Sequence, residues 1–431
     1  MATPTTAVPA SRITRHAVPL RGPLAARSTR ETHRSATPLE LFFDLSFVIA
    51  IARITAALSH RIADGEALTG IVPFVQVAFA IWWAWMNFTW FASAYDNDDA
   101  LHRLLTMLQM AGVLVLAAGV SSALDHGDYR GITVGYLIMR VGLVALWLRA
   151  AIACPDGRWT ALRYAAGVAA LEVGWVLRLV IAEQQVLSGT GLLAAFGVLV
   201  AAEITVPWWA ERSRRSDPTS WHPHHIAERY GLFTIILLGE SLFAVSVGVR
   251  TAIAQGLAHG EVAVVAAGGF VLTMSLWWRY FLDRPGDGLA CARHRSFWWG
   301  YGHFGIVAAL AALGAGLEVA AGHTLGHAAA SSLAVGLAVA VPVATFFVVV
   351  AVVNRAVARQ SPFPPRWTAA TVVTVLALPF ALSSVGPAAV VAAVGATCAA
   401  AVLVAGVELR PGRPAIAAVG SSPVPEQPRR P

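Results

Sequence analysis

Lysine is absent: all 31 basic side chains are arginine. Without an ε-amine the chain has no phosphate-binding lysine of a P-loop and nothing to form a Schiff base with retinal or pyridoxal phosphate. An ATPase domain within this chain and a retinal photoreceptor are therefore excluded. Charge is scarce too. Only 13% of the 431 residues are charged, against roughly 25% in a soluble domain, too little to cover a water-facing globule. Cysteine is scarcer still: Cys154, Cys291 and Cys398 lie far apart and form no CxxC. That excludes a disulfide framework and a zinc ribbon, and the three read as reduced thiols that pack. No catalytic residue, metal, cofactor or nucleic-acid partner is assigned.

What fills the chain instead is apolar sequence, 57% of it, with a mean hydropathy of +0.64. Twelve stretches approach bilayer length: 39–59, 72–94, 102–124, 130–153, 161–182, 190–210, 226–249, 262–283, 297–320, 329–353, 367–385 and 387–409. Backbone groups in hydrocarbon must be satisfied within the segment, and no alternating barrel pattern is written here, so these are helices. The fold class is an all-α, polytopic transmembrane bundle of about twelve spans. Residues 1–37 are Arg-, Thr-, Ser- and Pro-rich with Glu31 the only acid, and read as a disordered basic arm beside anionic lipid. Residues 411–431 read as a second disordered tail.

Arginine sets the orientation. With the N-terminus inside, the inner segments carry Arg12 to Arg34, Arg103, Arg158, Arg163, Arg212 to Arg215, Arg284, Arg293, Arg295, Arg355, Arg359, Arg366, Arg410 and Arg413. The outer loops keep Arg61, Arg130 and Arg250, with Arg178 near an outer helix end. Both termini are then cytoplasmic. The Arg-, Ala-, Val- and Gly-rich composition suggests a GC-rich bacterial genome, hence a bacterial plasma (inner) membrane.

Three pairs hint at duplication: Glu40 and Glu228, Trp82-Trp83 and Trp277-Trp278, His102-Arg103 and His294-Arg295, at offsets of 188, 195 and 192. Residues 38–211 and 212–410 would be two six-helix halves, parallel because six is even.

Ionisable residues in hydrocarbon carry the functional signal, since each costs several kcal/mol unless paired or hydrated. Glu40 and Asp44 stand four apart on one helix face, where joint ionisation is costly. The bland alternative is a pair of solvated groups in the headgroup layer at a helix N-terminus. The seventh span opens Trp221-His222-Pro223-His224-His225-Ile226-Ala227-Glu228-Arg229. His224 and Glu228 are i and i+4, and histidine beside acid handles protons near neutral pH; here too an interfacial polar collar is the plainer alternative. Glu40, Asp44, His224, His225 and Glu228 are the expected substrate- or ion-binding residues, with Asp44, Glu228 and the two histidines in one cytoplasmic-side site between the halves. Arg53 and Glu240, at about the same depth, are expected to make a buried ion pair.

Thr37-Pro38-Leu39-Glu40-Leu41-Phe42-Phe43-Asp44-Leu45 resembles the opening signature of the bacterial low temperature requirement protein A (LtrA) family. So do the run from Trp85 to Asp96, the run from Trp221 to Phe233, and Leu238-Gly239-Glu240-Ser241. The resemblance spans roughly residues 37–380. It implies a membrane-embedded protein linked by name to growth in the cold, and carries no molecular activity. The function expected is a transporter or channel-like protein with a cytoplasmic-side acid/His site, its partners membrane lipid and an unidentified small solute or ion. A membrane-embedded enzyme using the His cluster and a non-transporting scaffold or sensor stay open.

Overall fold

The computed structural model describes residues 19–408, apart from 23, 29–30, 32–33, 96, 255, 257–259 and 358–362. In order come α1 (Pro38–Ala63), α2 (Ala67–Tyr95), α3 (Ala100–His126), α4 (Arg130–Ala153), α5 (Arg158–Glu183), α6 (Gly189–Glu211) and α7 (Pro223–Ala254). They are followed by α8 (Gly260–Phe281), α9 (Pro285–Cys291), a 3₁₀ turn (Arg293–Arg295), α10 (Ser296–Thr324), α11 (Ser332–Val357), α12 (Pro365–Leu382) and α13 (Pro387–Glu408). There is no strand among the described residues. Among the described residues twelve helical stretches are long and apolar enough to cross a membrane, as expected. The seven-residue α9 is an addition, because a segment that short carries no readable period. The narrow division near the C-terminus holds: Gly386 breaks the chain between α12 and α13 at φ +121°, a conformation open to glycine.

Successive spans reverse direction, so α1, α3, α5, α7, α10 and α12 start at one end of the bundle, here called the near end, and finish at the far end. The bundle is apolar on its outer surface as well as in its core. On α1, Leu41, Phe42, Leu45 and Ile49 point outward, while Glu40, Asp44, Thr55 and Ser59 are buried. Lipid rewards the first set, and only the interior can partner the second. α1, α2, α7 and α10 make the centre, and α5 and α6 lie at the edge with much of their surface exposed. Glycines let neighbours close up. A Cβ on Gly119 of α3 would stand 2.7 Å from the Cα of Gly131 on α4, and one on Gly302 of α10 would stand 2.5 Å from Val353 of α11.

The order of neighbours recurs: α1–α3–α4–α5–α6 packs in sequence, as does α7–α10–α11–α12–α13. The residues that suggested a repeat nevertheless do different things. Glu40, Trp82, Trp83 and His102 are buried, whereas Trp277, Trp278 and His294 are exposed and Glu228 is half-buried.

The described part of the basic arm is bound rather than disordered. Ala100 and Leu101 donate to the carbonyls of Pro19 and Leu20, and Arg27 N–H donates to Ala94 O. The buried Arg34 guanidinium donates to the last-turn carbonyls of α2, Ser93 and Ala92, where a cation suits the helix dipole. Asp99 caps α3 through His102 N–H and pairs with buried Arg149. Burial alone would push the Asp99 carboxyl up, but the Arg149 guanidinium and the His102 and Gly22 N–H groups hold it below the ordinary range. Arginine that reads as arm or loop in the sequence thus serves as cap and anchor. Residues 1–18 and 409–431 lie outside the described residues.

Candidate functional site

Helix α1 begins with a capping box. Glu40 N–H donates to Thr37 Oγ1 at 3.2 Å, and Thr37 N–H donates back to Glu40 Oε2 at 2.8 Å. Pro38 at the first position fixes the entry. Glu40 therefore points down the start of the helix instead of out to solvent, with Asp44 one turn deeper on the same face.

Helix α7 runs parallel to α1 and presents the complementary charges. Arg229 is 0% exposed and binds both acids: Nη1 lies 2.8 Å from Glu40 Oε1, Nη2 lies 2.5 Å from Asp44 Oδ1, and Nε donates to Asp44 Oδ2 at 3.2 Å. His225, also 0% exposed, places Nε2 3.1 Å from Glu40 Oε1, while its Nδ1 meets Ser93 Oγ of α2 at 3.2 Å. Trp85 Nε1 of α2 donates to Asp44 Oδ1 at 2.7 Å. Two carboxylates, one guanidinium and one imidazole are thus sealed among three helices. With neutral imidazole the four sum to one negative charge; a proton on His225 brings them to zero.

His222 holds the start of α7. Its Nδ1 accepts from His225 N–H at 3.3 Å and its Nε2 faces Glu31 O at 2.9 Å. An accepting Nδ1 and a donating Nε2 define the neutral imidazole. Burial, the largest cause, lowers its pKa from the ordinary value, in keeping with that form.

Beyond the cluster the seam turns apolar and becomes polar again two layers further on. After Asp44 and Arg229 the facing stripe reads Phe47 against Phe233, then Ile51 and Leu237, then Thr55 and Ser241. The Phe47 and Phe233 rings stand 6.4 Å apart, and Trp85 stacks on Phe233 at 4.2 Å. Thr55 and Ser241 both approach Gly314 of α10, and the buried Ser241 hydroxyl has no hydrogen-bond partner. Beyond them a far-end cavity of about 300 Å³ is lined by Ser59, His60, Asp64, Thr251 and Glu318 among others. A near-end cavity of about 270 Å³ is lined by Trp90, Glu211, Trp221, Arg293 and Tyr301 among others. Trp90 donates from there to the hydroxyl of Tyr230, the residue after Arg229.

Of the expected residues, Glu40, Asp44 and His225 come together here; His224 and Glu228 do not. Residues one position apart on a helix diverge by about 100°. His224 and Glu228 therefore share a different face from His225 and Arg229. His224 is exposed and faces Asp287 of α9 at 2.9 Å, and Glu228 is 3.5 Å from Ala36 N–H. The histidine run splits in two directions and is no single ligand set. Among the described residues no group of three His, Cys, Asp or Glu converges to hold a metal ion.

The expected Arg53–Glu240 pair is not formed. Arg53 is nine positions beyond Asp44, about half a turn round the helix, and lies on the exposed face of α1. The charge acting on half-buried Glu240 is that of Glu318 on α10. Arg229, Trp85 and Ser93 are what the sequence reading missed. A signal existed for Arg229: His225 and Arg229 repeat the four-residue spacing of Glu40 and Asp44 with opposite charge.

The motifs that build this seam, from Thr37 to Leu45 on α1 and from Trp221 to Ser241 on α7, lie inside a longer match. The family described as bacterial low temperature requirement A protein (LtrA) covers residues 35–405. The chain belongs to the LtrA family. It is also 26% identical over 295 residues to an uncharacterized protein of Rhizobium meliloti strain 1021, covering 66% of this chain and 69% of that one. No solved structure matches the chain.

Proposed function

We propose that this LtrA protein is a transporter or channel-like protein that moves protons or a small cation along the α1–α7 seam of a bacterial plasma membrane. The observation that carries the reading is the buried Glu40–Asp44–Arg229–His225 cluster, aligned along the α1–α7 seam with buried Thr55 and Ser241 and with an acid- and histidine-lined cavity beyond them. Buried charges within membrane helices are retained where ions or protons pass. The aromatic layer of Phe47, Phe233 and Trp85 closes the stripe in this conformation, as a route with alternating access requires. The near end is cytoplasmic in this proposal, since it gathers Arg34, Arg103, Arg158, Arg163, Arg212, Arg214, Arg215, Arg293 and Arg295. The two six-helix halves would rock about the seam.

Two experiments bear on this reading. Cys291 is exposed at the near end, so a membrane-impermeant maleimide should spare it in intact cells and label it in inverted vesicles. Labelling in intact cells would reverse the orientation. In proteoliposomes, Phe47→Ala with Phe233→Ala should raise proton or monovalent-cation flux above wild type by widening the closed layer. Flux equal to empty vesicles in both proteins would count against permeation. It would favour the second reading, a static latch, which the full pairing of Arg229 with both acids also suits.

A further inference from the structure

Away from the seam, three consecutive helices aim deep charges at one point. Arg140 of α4, Glu172 of α5 and Glu203 of α6 are all buried. Each stands at least eight residues from either end of its helix, about 12 Å of rise.

The two carboxyls are not equivalent. Glu203 Oε1 accepts from Tyr136 Oη–H at 3.0 Å and Trp175 Nε1–H at 3.1 Å, and its Oε2 accepts from Trp83 Nε1–H at 2.7 Å. Arg140 Nη2 lies 3.7 Å away and also donates to the Tyr136 hydroxyl. Three neutral donors and a cation suit an ionised carboxylate. Glu172 has no such set. Its Oε1 is 3.6 Å from Arg140 Nε, and neither of its oxygens, nor Arg140 Nε or Nη1, has a hydrogen-bond partner.

One guanidinium cannot neutralise two carboxylates. With both acids ionised the site carries a net negative charge in hydrocarbon, which costs several kcal/mol. One proton on Glu172 removes that charge. Among the described residues Arg140 is the cation that pairs with either acid; Tyr136, Trp83 and Trp175 are neutral, and Arg178 of α5 lines the adjoining pocket without an ion pair to Glu172 or Glu203.

Two cavities approach the site from the far end and stop at the donors of Glu203. A cavity of about 550 Å³ there is lined by Gln76, Tyr129, Arg130, Arg178 and Glu183 among others. Gln76, Tyr129 and Arg178 also line a narrow pocket of about 30 Å³, whose inner wall includes Tyr136 and Trp175. That is room for about one water. The Tyr129 hydroxyl donates to Gln76 Oε1 on the way. The surface cavity, this pocket and the donors of Glu203 thus adjoin.

We infer that Glu172 is a proton-loading site at mid-depth, filled from the far end through the Tyr129–Gln76–Tyr136 passage. Its ligand is H⁺: hydronium in the narrow pocket gives up a proton and remains as water, and the ionised carboxylate becomes a neutral acid. The inference is independent of the α1–α7 reading, because loading requires no flux along that seam.

The test uses the full-length wild-type protein, so it does not depend on a variant folding. Dicyclohexylcarbodiimide, an apolar reagent for protonated carboxyls in membranes, is applied and the adducts are mapped by mass spectrometry. Glu172 should be modified and Glu203 spared, with the Glu172 adduct falling more than about tenfold from about pH 5 to about pH 9. The infrared pH-difference spectrum should contain a protonated-carboxyl band that Glu172→Gln removes. No adduct at Glu172, equal modification of Glu203, or no pH-dependent band assignable to Glu172 would each overturn the inference.

Discussion

Arg229→Gln is expected to destabilise the protein by about 3–5 kcal/mol, because it strands two buried carboxylates that share one guanidinium. Glu40 would keep His225, but Asp44 would retain only the Trp85 N–H. The cost of the change is the desolvated charge left behind rather than the bonds removed. Neutralising the acids as well should therefore recover most of the loss, and Arg229→Gln with Glu40→Gln and Asp44→Asn should be far more stable than Arg229→Gln alone. Thermal unfolding of purified protein in detergent reads the difference. A single variant as stable as wild type would mean that water or headgroups reach the acids, contrary to their burial.

Much of the fold was legible because hydrocarbon restricts what a chain can do there. Twelve apolar stretches became twelve spans. Apolar content gives no such guide to α9, and composition misjudged the arm. An arginine such as Arg34 looks solvated in sequence, and only the fold brings the α2 carbonyls against it.

The site was half legible. Glu40 and Asp44 declared their shared face through their spacing, and that face proved to be the buried one. On α7 two interleaved i, i+4 pairs compete, His224 with Glu228 and His225 with Arg229. Type alone favoured the acid, whereas charge balance against two carboxylates on α1 requires the arginine. For Arg53, depth matched but azimuth did not. Equal distance along two helices says nothing about facing, which needs the 100° step to be counted round each axis.

Asp44 is the residue on which the proposed activity depends most directly. In Asp44→Asn the side-chain oxygen can still accept from Trp85, and Arg229 keeps Glu40, so the fold should survive. What is lost is the deeper carboxylate of the sealed cluster, the group that on the proposed reading would exchange Arg229 for a passing cation or proton. The decisive measurement is proton and monovalent-cation flux in proteoliposomes holding equal amounts of folded wild-type or Asp44→Asn protein. The permeation account predicts flux above empty vesicles for wild type and a loss of more than about tenfold, nearly 1.4 kcal/mol or greater, for Asp44→Asn. Equal flux from the two proteins, with both correctly folded, would contradict it.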